Sequence, residues 1–170
     1  YPGTLIAAQG SYYLEGFKKK MNSSSMYGRV ELVNLNSTLA EPNSVDVIVT
    51  FRNLHNWLGA DMDSIFKNSF KALKPGGSFG VVEHRAKPGT DFETMKSSGY
   101  VTEEHAIEVA LKQGFELVAK SEINANPKDT KDHPKGVWTL PPRLRLDDVD
   151  RDKYESIGES DRMTLLFRKP

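Results

Sequence analysis

The sequence predicts an α/β protein with a mainly parallel sheet, and three observations lead to this fold class. Short apolar runs alternate along the chain with stretches whose apolar residues recur every three or four positions. Residues 45–49 are apolar except for Asp46, as expected for a strand that helices cover on both faces. Turn residues such as Pro75, Gly76 and Gly77 separate the predicted elements.

Composition fits one globular domain with its own core, because 38% of the 170 residues are hydrophobic and 27% are charged. The 23 basic and 23 acidic side chains cancel, so charge gives no indication of a nucleic-acid or membrane partner. The chain has no cysteine, which excludes thiol catalysis, disulfides and cysteine-ligated metals. The compartment stays open, with the cytoplasm as the default and the periplasm as an alternative.

Six strands are predicted from β-branched and aromatic runs that turn residues bound. They lie at residues 4–8, 30–35, 45–51, 78–84, 115–119 and 163–168. The last two strands have no clear helix between them, so we expect them to pair antiparallel. Helical segments join the others, which suits parallel pairing.

Three helices are predicted from apolar residues at helical spacing. They cover residues 11–21, 60–73 and 103–113. Ser11 and Thr102 are the predicted N-caps of the first and third helices. Residues 85–99 are polar and are predicted to be irregular. Residues 124–162, called the insert below, hold four prolines and an acidic run; connections this long are usually functional lids or disordered.

A polar and aromatic cluster directly after the strand at 45–51 is the first candidate for a functional site. It consists of Arg52, Asn53, His55, Asn56 and Trp57. In open α/β sheets, ligands bind just beyond the carboxyl ends of the strands. The alternative is equally consistent with these residues: Trp57 belongs to the core, and the polar side chains merely begin a loop.

Residues 45–57, with the following helix and its Leu-Lys-Pro-Gly-Gly turn at 73–77, resemble the second half of a class I S-adenosylmethionine-dependent methyltransferase. Residues 102–118 resemble the late helix and strand of that family, and the closing strand resembles its antiparallel last one. More narrowly, residues 51–57 are similar to a group of uncharacterised bacterial predicted methyltransferases. The resemblance implies a Rossmann-like sheet, S-adenosylmethionine as the cofactor, and methyl transfer to a small-molecule acceptor.

The Gly-rich cofactor loop of that family has no counterpart in residues 1–170, and the strand at 4–8 corresponds to the family's second strand. We therefore expect residues 1–170 to be the single C-terminal portion of a methyltransferase domain that lacks its first strand, with an irregular insert at about 124–162. A missing central strand leaves a gap of about 10 Å, twice the ~4.8 Å strand spacing. Unpaired backbone groups flank such a gap and are costly to bury.

The resemblance implies cofactor contacts at positions in three loops. They are Gln9, Asn36, Ser37, Phe51, Arg52 and Asn53. Gln9 stands where the family carries an acid for the ribose hydroxyls, so this position departs from the pattern. His55 and Asn53 are the catalytic candidates, with His55 as a base because an unperturbed imidazole titrates near neutrality. The alternative for His55 is a local hydrogen bond that holds the loop.

Four side chains are candidates for substrate contact: Trp57, Glu83, His84 and Trp138. Glu83 and His84 end the strand after the central one, and their alternative is a structural ion pair with Arg52 or Arg85. Trp138 either caps the acceptor pocket or anchors the insert. The histidines show no H-E-x-x-H spacing, so no metal is predicted. A metal site of His55, Glu83 and His84 is a weaker alternative.

The predicted partner is a small-molecule substrate, with no nucleic acid and no membrane, and a homo-oligomer is left open. The rival hypothesis is a non-catalytic methyltransferase-like module for binding or scaffolding, which Gln9 and the missing glycine loop favour. A nicotinamide-dependent protein is a third hypothesis, but the sequence contains no G-x-G-x-x-G.

Overall fold

The computed structural model describes residues 3–170, which form two sheets. The first is a parallel pair of β1 (Leu5–Gln9) and β2 (Val30–Asn34). The second contains β3 (Val45–Phe51), β4 (Leu73–His84), β5 (Glu116–Ser121) and β6 (Arg162–Arg168), in the spatial order β3-β4-β6-β5. β3 and β4 are parallel, whereas β6 runs antiparallel to both β4 and β5. This confirms the predicted fold class.

Within residues 3–170, six α-helices and two short 3-10 helices connect the strands. They are α1 (Ser11–Asn22), α2 (Leu54–Trp57), α3 (Ala60–Ala72), α4 (Phe92–Ser98), α5 (Glu103–Lys112) and α6 (Arg151–Ile157), with 3-10 helices at Ser25–Tyr27 and Gly136–Thr139. Thr102 caps α5 as predicted, since its hydroxyl accepts from the His105 N–H at 3.2 Å. The Ser11 cap is wrong: Gly10 is the N-cap, and the Ser11 hydroxyl accepts a hydrogen bond from Asn34 instead.

Helices α3 and α5 cover one face of the four-stranded sheet and enclose the main core. Phe66 of α3 packs edge-on against Phe79 of β4, with ring centroids 5.0 Å apart, and Phe115 and Phe167 lie close to the same Phe79 ring. On the opposite face, Val47, Val49 and Phe51 are more than half exposed. Val49 and Phe51 line a shallow apolar groove of about 320 Å³ there. The expectation that helices cover both faces of β3 is therefore wrong for the part of the chain that the structure describes.

The pair β1–β2 and the four-stranded sheet are not hydrogen-bonded to each other within residues 3–170. The described strands therefore do not form one closed sheet, which is the arrangement expected if a strand between them is missing. That residues 1–170 are the C-terminal portion of a longer domain stays a prediction.

Two segments that were predicted to be irregular contain helices. Residues 85–99 include α4, whose N-cap is Asp91: its carboxylate accepts from the Thr94 N–H at 2.9 Å and from the Thr94 hydroxyl at 2.6 Å. The insert contains α6 and the 3-10 helix at Gly136–Thr139. The rest of the insert consists mainly of turns and loops, and contacts such as the Arg85–Asp161 pair hold it against the body of the molecule.

Gly136 lies where the insert touches the end of α4, and replacing it with alanine is expected to loosen the insert. Its φ is +56°, and an added Cβ would lie 2.1 Å from the Ser98 carbonyl oxygen. Because backbone cannot move aside cheaply, we expect Gly136→Ala to lower the free energy of unfolding by more than about 2 kcal/mol. Urea denaturation measures this loss.

Gly89→Ala is the matched control, because Gly89 also has a positive φ, +76°, but nothing lies within 4 Å of an added Cβ. Gly89→Ala should lower the free energy of unfolding by only about 1 kcal/mol, the cost of placing alanine in a left-handed backbone conformation. Equal losses in the two variants would show that the close approach to Ser98 is unimportant.

None of the helices within residues 3–170 is both long and apolar enough to span a bilayer.

Candidate functional site

His55 and Glu83 form a hydrogen-bonded pair at the carboxyl edge of the four-stranded sheet. β3 and β4 are parallel neighbours, so their carboxyl ends meet at one edge. Glu83 lies at the end of β4, and His55 lies in α2, which begins three residues after β3. His55 Nδ1 is 3.0 Å from Glu83 Oε1, with the two side chains 8% and 0% exposed. The pair joins two residues that the sequence placed at the same sheet edge.

The buried Glu83 carboxylate is held entirely by N–H groups. The backbone N–H of Leu54 donates to Oε2, and the backbone N–H of His84 donates to Oε1 at 2.8 Å. An ionised carboxylate only accepts hydrogen bonds, so a neutral His55 bonded to it has its proton on Nδ1. In that tautomer Nε2 keeps its lone pair, which is the arrangement a general base requires. The ion pairs of Glu83 with Arg52 or Arg85, considered from the sequence, are not formed within residues 3–170.

His84 lies beside this pair and is held by a serine of the insert. Its Nδ1 is 2.6 Å from Ser160 Oγ, and its ring centroid is 5.4 Å from that of His55. Burial lowers the pKa of His84 to about 4; nearby Glu83 opposes this, while His55 and Arg52 lower it further. His84 is therefore a neutral imidazole at neutral pH. Its contact with Ser160 uses Nδ1 and does not involve Nε2.

Trp138, a residue of the insert, lies beside His55. It lies in the 3-10 helix Gly136–Thr139, and its ring is 6.0 Å from the His55 ring in an edge-on arrangement. The Arg145 guanidinium lies 4.6 Å from the Trp138 ring centroid, which fixes a cation on the indole. The site thus combines His55, Glu83, His84 and Trp138, which come from three separate parts of the chain.

The positions that the resemblance assigned to the cofactor's adenosine lie elsewhere, at the ends of β1 and β2. Gln9 ends β1, while Asn36 and Ser37 follow β2 and are folded back on Asn34: the Asn36 N–H donates to the Asn34 side chain at 2.9 Å. The Ser37 hydroxyl donates to the Asn34 carbonyl at 2.8 Å, and Asn68 of α3 donates to the Ser37 carbonyl at 3.2 Å. This last contact ties the loop after β2 to a helix of the four-stranded sheet.

The remaining predicted site residues follow β3 directly. Arg52 has a left-handed backbone, φ +54°, and its N–H donates to the Val82 carbonyl at 2.7 Å. Asn53 occupies the N-cap position of α2, and its side chain accepts from Asn56 at 3.3 Å. Phe51 projects from the open sheet face, 59% exposed. Trp57 packs against the main core, as its alternative interpretation predicted.

Sequence reasoning missed Asp129, which anchors the insert. Its carboxylate accepts from the Tyr100 hydroxyl at 3.0 Å and from the Asp161 N–H at 2.8 Å, and it lies 2.8 Å from His133 Nε2. Burial and the neighbouring Asp129 raise the pKa of Tyr100 well above its usual range. Asp129 stands in a polar stretch without periodicity, so no sequence signal distinguishes it from a solvated residue.

Arg85 and Asp161 form a second anchor of the insert. Arg85 donates to both oxygens of Asp161, each at 2.9 Å, and also pairs with Glu103 and Glu122. Burial alone would raise the pKa of Asp161, but hydrogen bonds from Arg85, Lys131 and the backbone outweigh it and lower the pKa to about 2. Arg85 therefore joins the strand end to the insert rather than to Glu83.

We expect this anchor to make stability depend on acid pH. The pKa of Asp161 is about 2 in the folded chain, below its ordinary value of 3.8. The unfolded chain therefore binds the proton more readily, so the stabilisation is complete above about pH 5 and is lost as the pH falls towards 2. Asp161→Asn should lower stability at neutral pH and flatten its decline below pH 5, measured by urea unfolding at several pH values. The exposed Asp148→Asn is the control, and an equal flattening there would contradict the assignment.

Comparison with solved structures supports the fold class. No protein-family model and no curated protein matches the sequence. The chain has the Rossmann-like α/β fold of class I methyltransferases, with a mostly parallel sheet and an antiparallel last strand, which the structural neighbours share.

Three neighbours illustrate the likeness. The [4+2]-cyclase SpnF superimposes with a TM-score of 0.65 at 16% identity, covering 98% of this chain and 66% of that one. Geranyl diphosphate C-methyltransferase from Streptomyces coelicolor A3(2) gives 0.63 at 9% identity, covering 100% and 64%. An S-adenosylmethionine-dependent methyltransferase from Mesorhizobium loti gives 0.58 at 13% identity, covering 98% and 80%. At these identities the likeness establishes the fold alone.

Proposed function

We propose that this chain belongs to an S-adenosylmethionine-dependent methyltransferase that acts on a small-molecule acceptor. The observation that carries the proposal is the His55–Glu83 pair, which lies at the carboxyl edge of the sheet in a fold shared with methyltransferases. That edge is where open α/β sheets bind their ligands. Methyl transfer needs a donor and an acceptor held in line, and, for a protonated acceptor, a base.

The side chains offered by the cofactor positions fit a nucleoside. Gln9, Asn36, Ser37 and Asn53 carry amide and hydroxyl groups, which can bond to ribose hydroxyls and to adenine nitrogens. Gln9 holds the ribose hydroxyls as a neutral partner, without the charge of an acid. When bound, S-adenosylmethionine supplies an electrophilic methyl group on a sulfonium.

His55 acts on the acceptor in this proposal. Its Nε2 takes the acceptor proton, and the Nδ1–H bond to Glu83 holds the ring in the required tautomer and stabilises the imidazolium that forms. Trp138, 6.0 Å from His55, bounds the acceptor pocket and keeps water from the exchange. His84, neutral beside the pair, offers the acceptor a further hydrogen-bond partner.

The neighbours favour a small acceptor. One is described in complex with geranyl diphosphate and S-adenosyl-L-homocysteine, and another with S-adenosylmethionine. A third is described as a complex with a methyltransferase activator protein, so a protein partner is compatible with the fold. A homo-oligomer and the cytoplasm as the compartment remain predictions.

A second function has its own support. SpnF, among the neighbours with a TM-score of 0.65, is described as a [4+2]-cyclase, so the fold also carries other chemistry. Gln9 in place of an acid favours a different alternative, a non-catalytic module that binds or scaffolds without transferring a methyl group.

Equilibrium binding of S-adenosylmethionine tests the proposal. Calorimetric titration into the full-length natural protein and into residues 1–170 should give one site per chain in the full-length form. Asn53→Ala should weaken binding about tenfold or more, because it removes one hydrogen-bonding side chain. Asn22→Ala, at an exposed position at the end of α1, is the control. Absence of binding in the full-length protein would contradict the methyltransferase and leave the non-catalytic module.

A further inference from the structure

We infer that His55, Glu83 and His84 form a binding site for a divalent first-row transition metal. One possible ligand atom from each of the three residues lies within 4.8 Å of the other two. The cluster is largely shielded from water, since the side chains of His55 and Glu83 are 8% and 0% exposed. The inference concerns metal binding itself and does not depend on S-adenosylmethionine.

The donor atoms select the kind of ion. Two imidazole nitrogens and one carboxylate oxygen suit Fe²⁺, Mn²⁺, Co²⁺ or Zn²⁺, whereas Mg²⁺ and Ca²⁺ prefer oxygen ligands alone. Two histidines and one carboxylate also leave coordination positions open for water or a substrate. The cluster therefore has the composition of a reactive metal site rather than of a closed structural one.

The spacing of the best-defined pair is compatible with two adjacent ligands of one ion. His55 Nδ1 and Glu83 Oε1 lie 3.0 Å apart. Two ligands at right angles, each about 2.1 Å from an ion, lie roughly 3 Å apart. In the metal-free chain a proton on Nδ1 occupies this space, and the ion would replace that proton, as metal binding to histidine requires. A chain that holds the ion lacks the Nδ1–H bond to Glu83, so the metal-bound form and the base proposed above are alternative states of His55.

The surroundings already orient the ligands. Backbone N–H groups of Leu54 and His84 hold the Glu83 carboxylate. Ser160 Oγ lies 2.6 Å from His84 Nδ1, which leaves His84 Nε2 as the ligand atom. Outer hydrogen bonds of this kind fix ring orientation in metal sites, and losing one typically weakens metal affinity about 10–100-fold.

Metal content and titration of the purified chain test the inference. After treatment with a chelator and dialysis, titration with Mn²⁺, followed by its paramagnetic resonance signal, should show one bound ion per chain. Co²⁺ should bind with the same stoichiometry and develop visible absorption bands, and Mg²⁺ at equal concentration should not compete. Removal of one ligand in His84→Ala or His55→Ala should weaken Mn²⁺ binding at least 100-fold, more than the loss of an outer hydrogen bond.

His105→Ala is the matched control, because His105 lies in α5 outside the cluster. It should bind Mn²⁺ like the unaltered chain. Circular dichroism establishes that each variant is folded. Absence of stoichiometric Mn²⁺ and Co²⁺ binding by the folded, unaltered chain would overturn the inference. So would His84→Ala and His55→Ala variants that bind Mn²⁺ as tightly as the unaltered chain. The methyltransferase proposal is tested separately, since His84→Ala leaves the His55–Glu83 pair in place.

Discussion

Replacing Glu83 with alanine is expected to lower the free energy of unfolding by about 3 kcal/mol or more. The carboxylate is completely buried and accepts hydrogen bonds from the Leu54 N–H, the His84 N–H and His55. Truncation leaves these donors without a partner, at about 1–3 kcal/mol each where no water replaces it. It also opens a cavity beneath α2. A domain of ordinary stability has only about 5–15 kcal/mol in total, so the variant should unfold at far lower urea concentrations.

Glu83→Gln tests the effect of removing the negative charge of Glu83 while the volume of the side chain is kept. The amide keeps the size of the side chain, but its NH₂ group is a hydrogen-bond donor. That group would face a backbone or imidazole N–H, which is also a donor. We expect a loss of about 1–3 kcal/mol, smaller than for alanine. The matched control is Glu108→Ala, an exposed glutamate of α5, which should change stability by about 0.5 kcal/mol or less. If Glu83→Ala were as stable as Glu108→Ala, the hydrogen bonds assigned to the carboxylate would be wrong.

The strongest sequence patterns gave the correct elements, but only one of them reports burial directly. The spacing of Met62, Ile65 and Phe66 in α3 reflects a face that is buried in the core. The apolar run at 45–51 correctly gave the strand β3, although one face of this strand is more than half exposed. The turn at 73–77 was also recognised, although β4 begins at Leu73 and runs through it. Parallel pairing of β3 with β4 places Glu83 at the same sheet edge as His55, which the order of the elements in the sequence is enough to predict.

The shorter elements could not be predicted because they lack a repeating apolar face. α4 has seven residues, of which only Met95 is buried, so helical periodicity cannot appear. Its signal was the N-cap Asp91 with Thr94, which is weak in a polar stretch. The Ser11 cap was wrong because a side chain distant in sequence, Asn34, occupies the serine hydroxyl. Local propensity yields to such a tertiary contact.

The partners within the site depended on long-range geometry. From the sequence, Arg52 or Arg85 was the expected ion-pair partner of Glu83. In the structure, the first residues of α2 contact the carboxylate instead, through the Leu54 N–H and His55 Nδ1. Arg85 lies on the same strand end and pairs instead with Asp161, 76 residues away. No local pattern in the sequence encodes a pairing at that separation. For the same reason, the sequence could not decide whether Trp138 caps the acceptor pocket or anchors the insert.

Replacing His55 with alanine is expected to lower the rate of methyl transfer about 10²–10⁴-fold while leaving S-adenosylmethionine affinity unchanged. This range is what a positioned general base contributes. In the proposed mechanism the lone pair on Nε2 takes the acceptor proton, and Glu83 holds Nδ1–H at 3.0 Å. The loss should therefore appear in kcat, measured as formation of S-adenosylhomocysteine by the full-length protein with an acceptor found by screening.

Chemical rescue distinguishes a base from a residue that only shapes the pocket. If His55 removes the acceptor proton, added imidazole should restore part of the rate lost in His55→Ala. Asn22→Ala is the control, since Asn22 is an exposed residue at the end of α1, outside the candidate site. It should retain activity within a few-fold. A His55→Ala variant that keeps the rate, or that loses it and is not rescued by imidazole, would remove His55 as the base and leave it as the residue that holds α2 against β4.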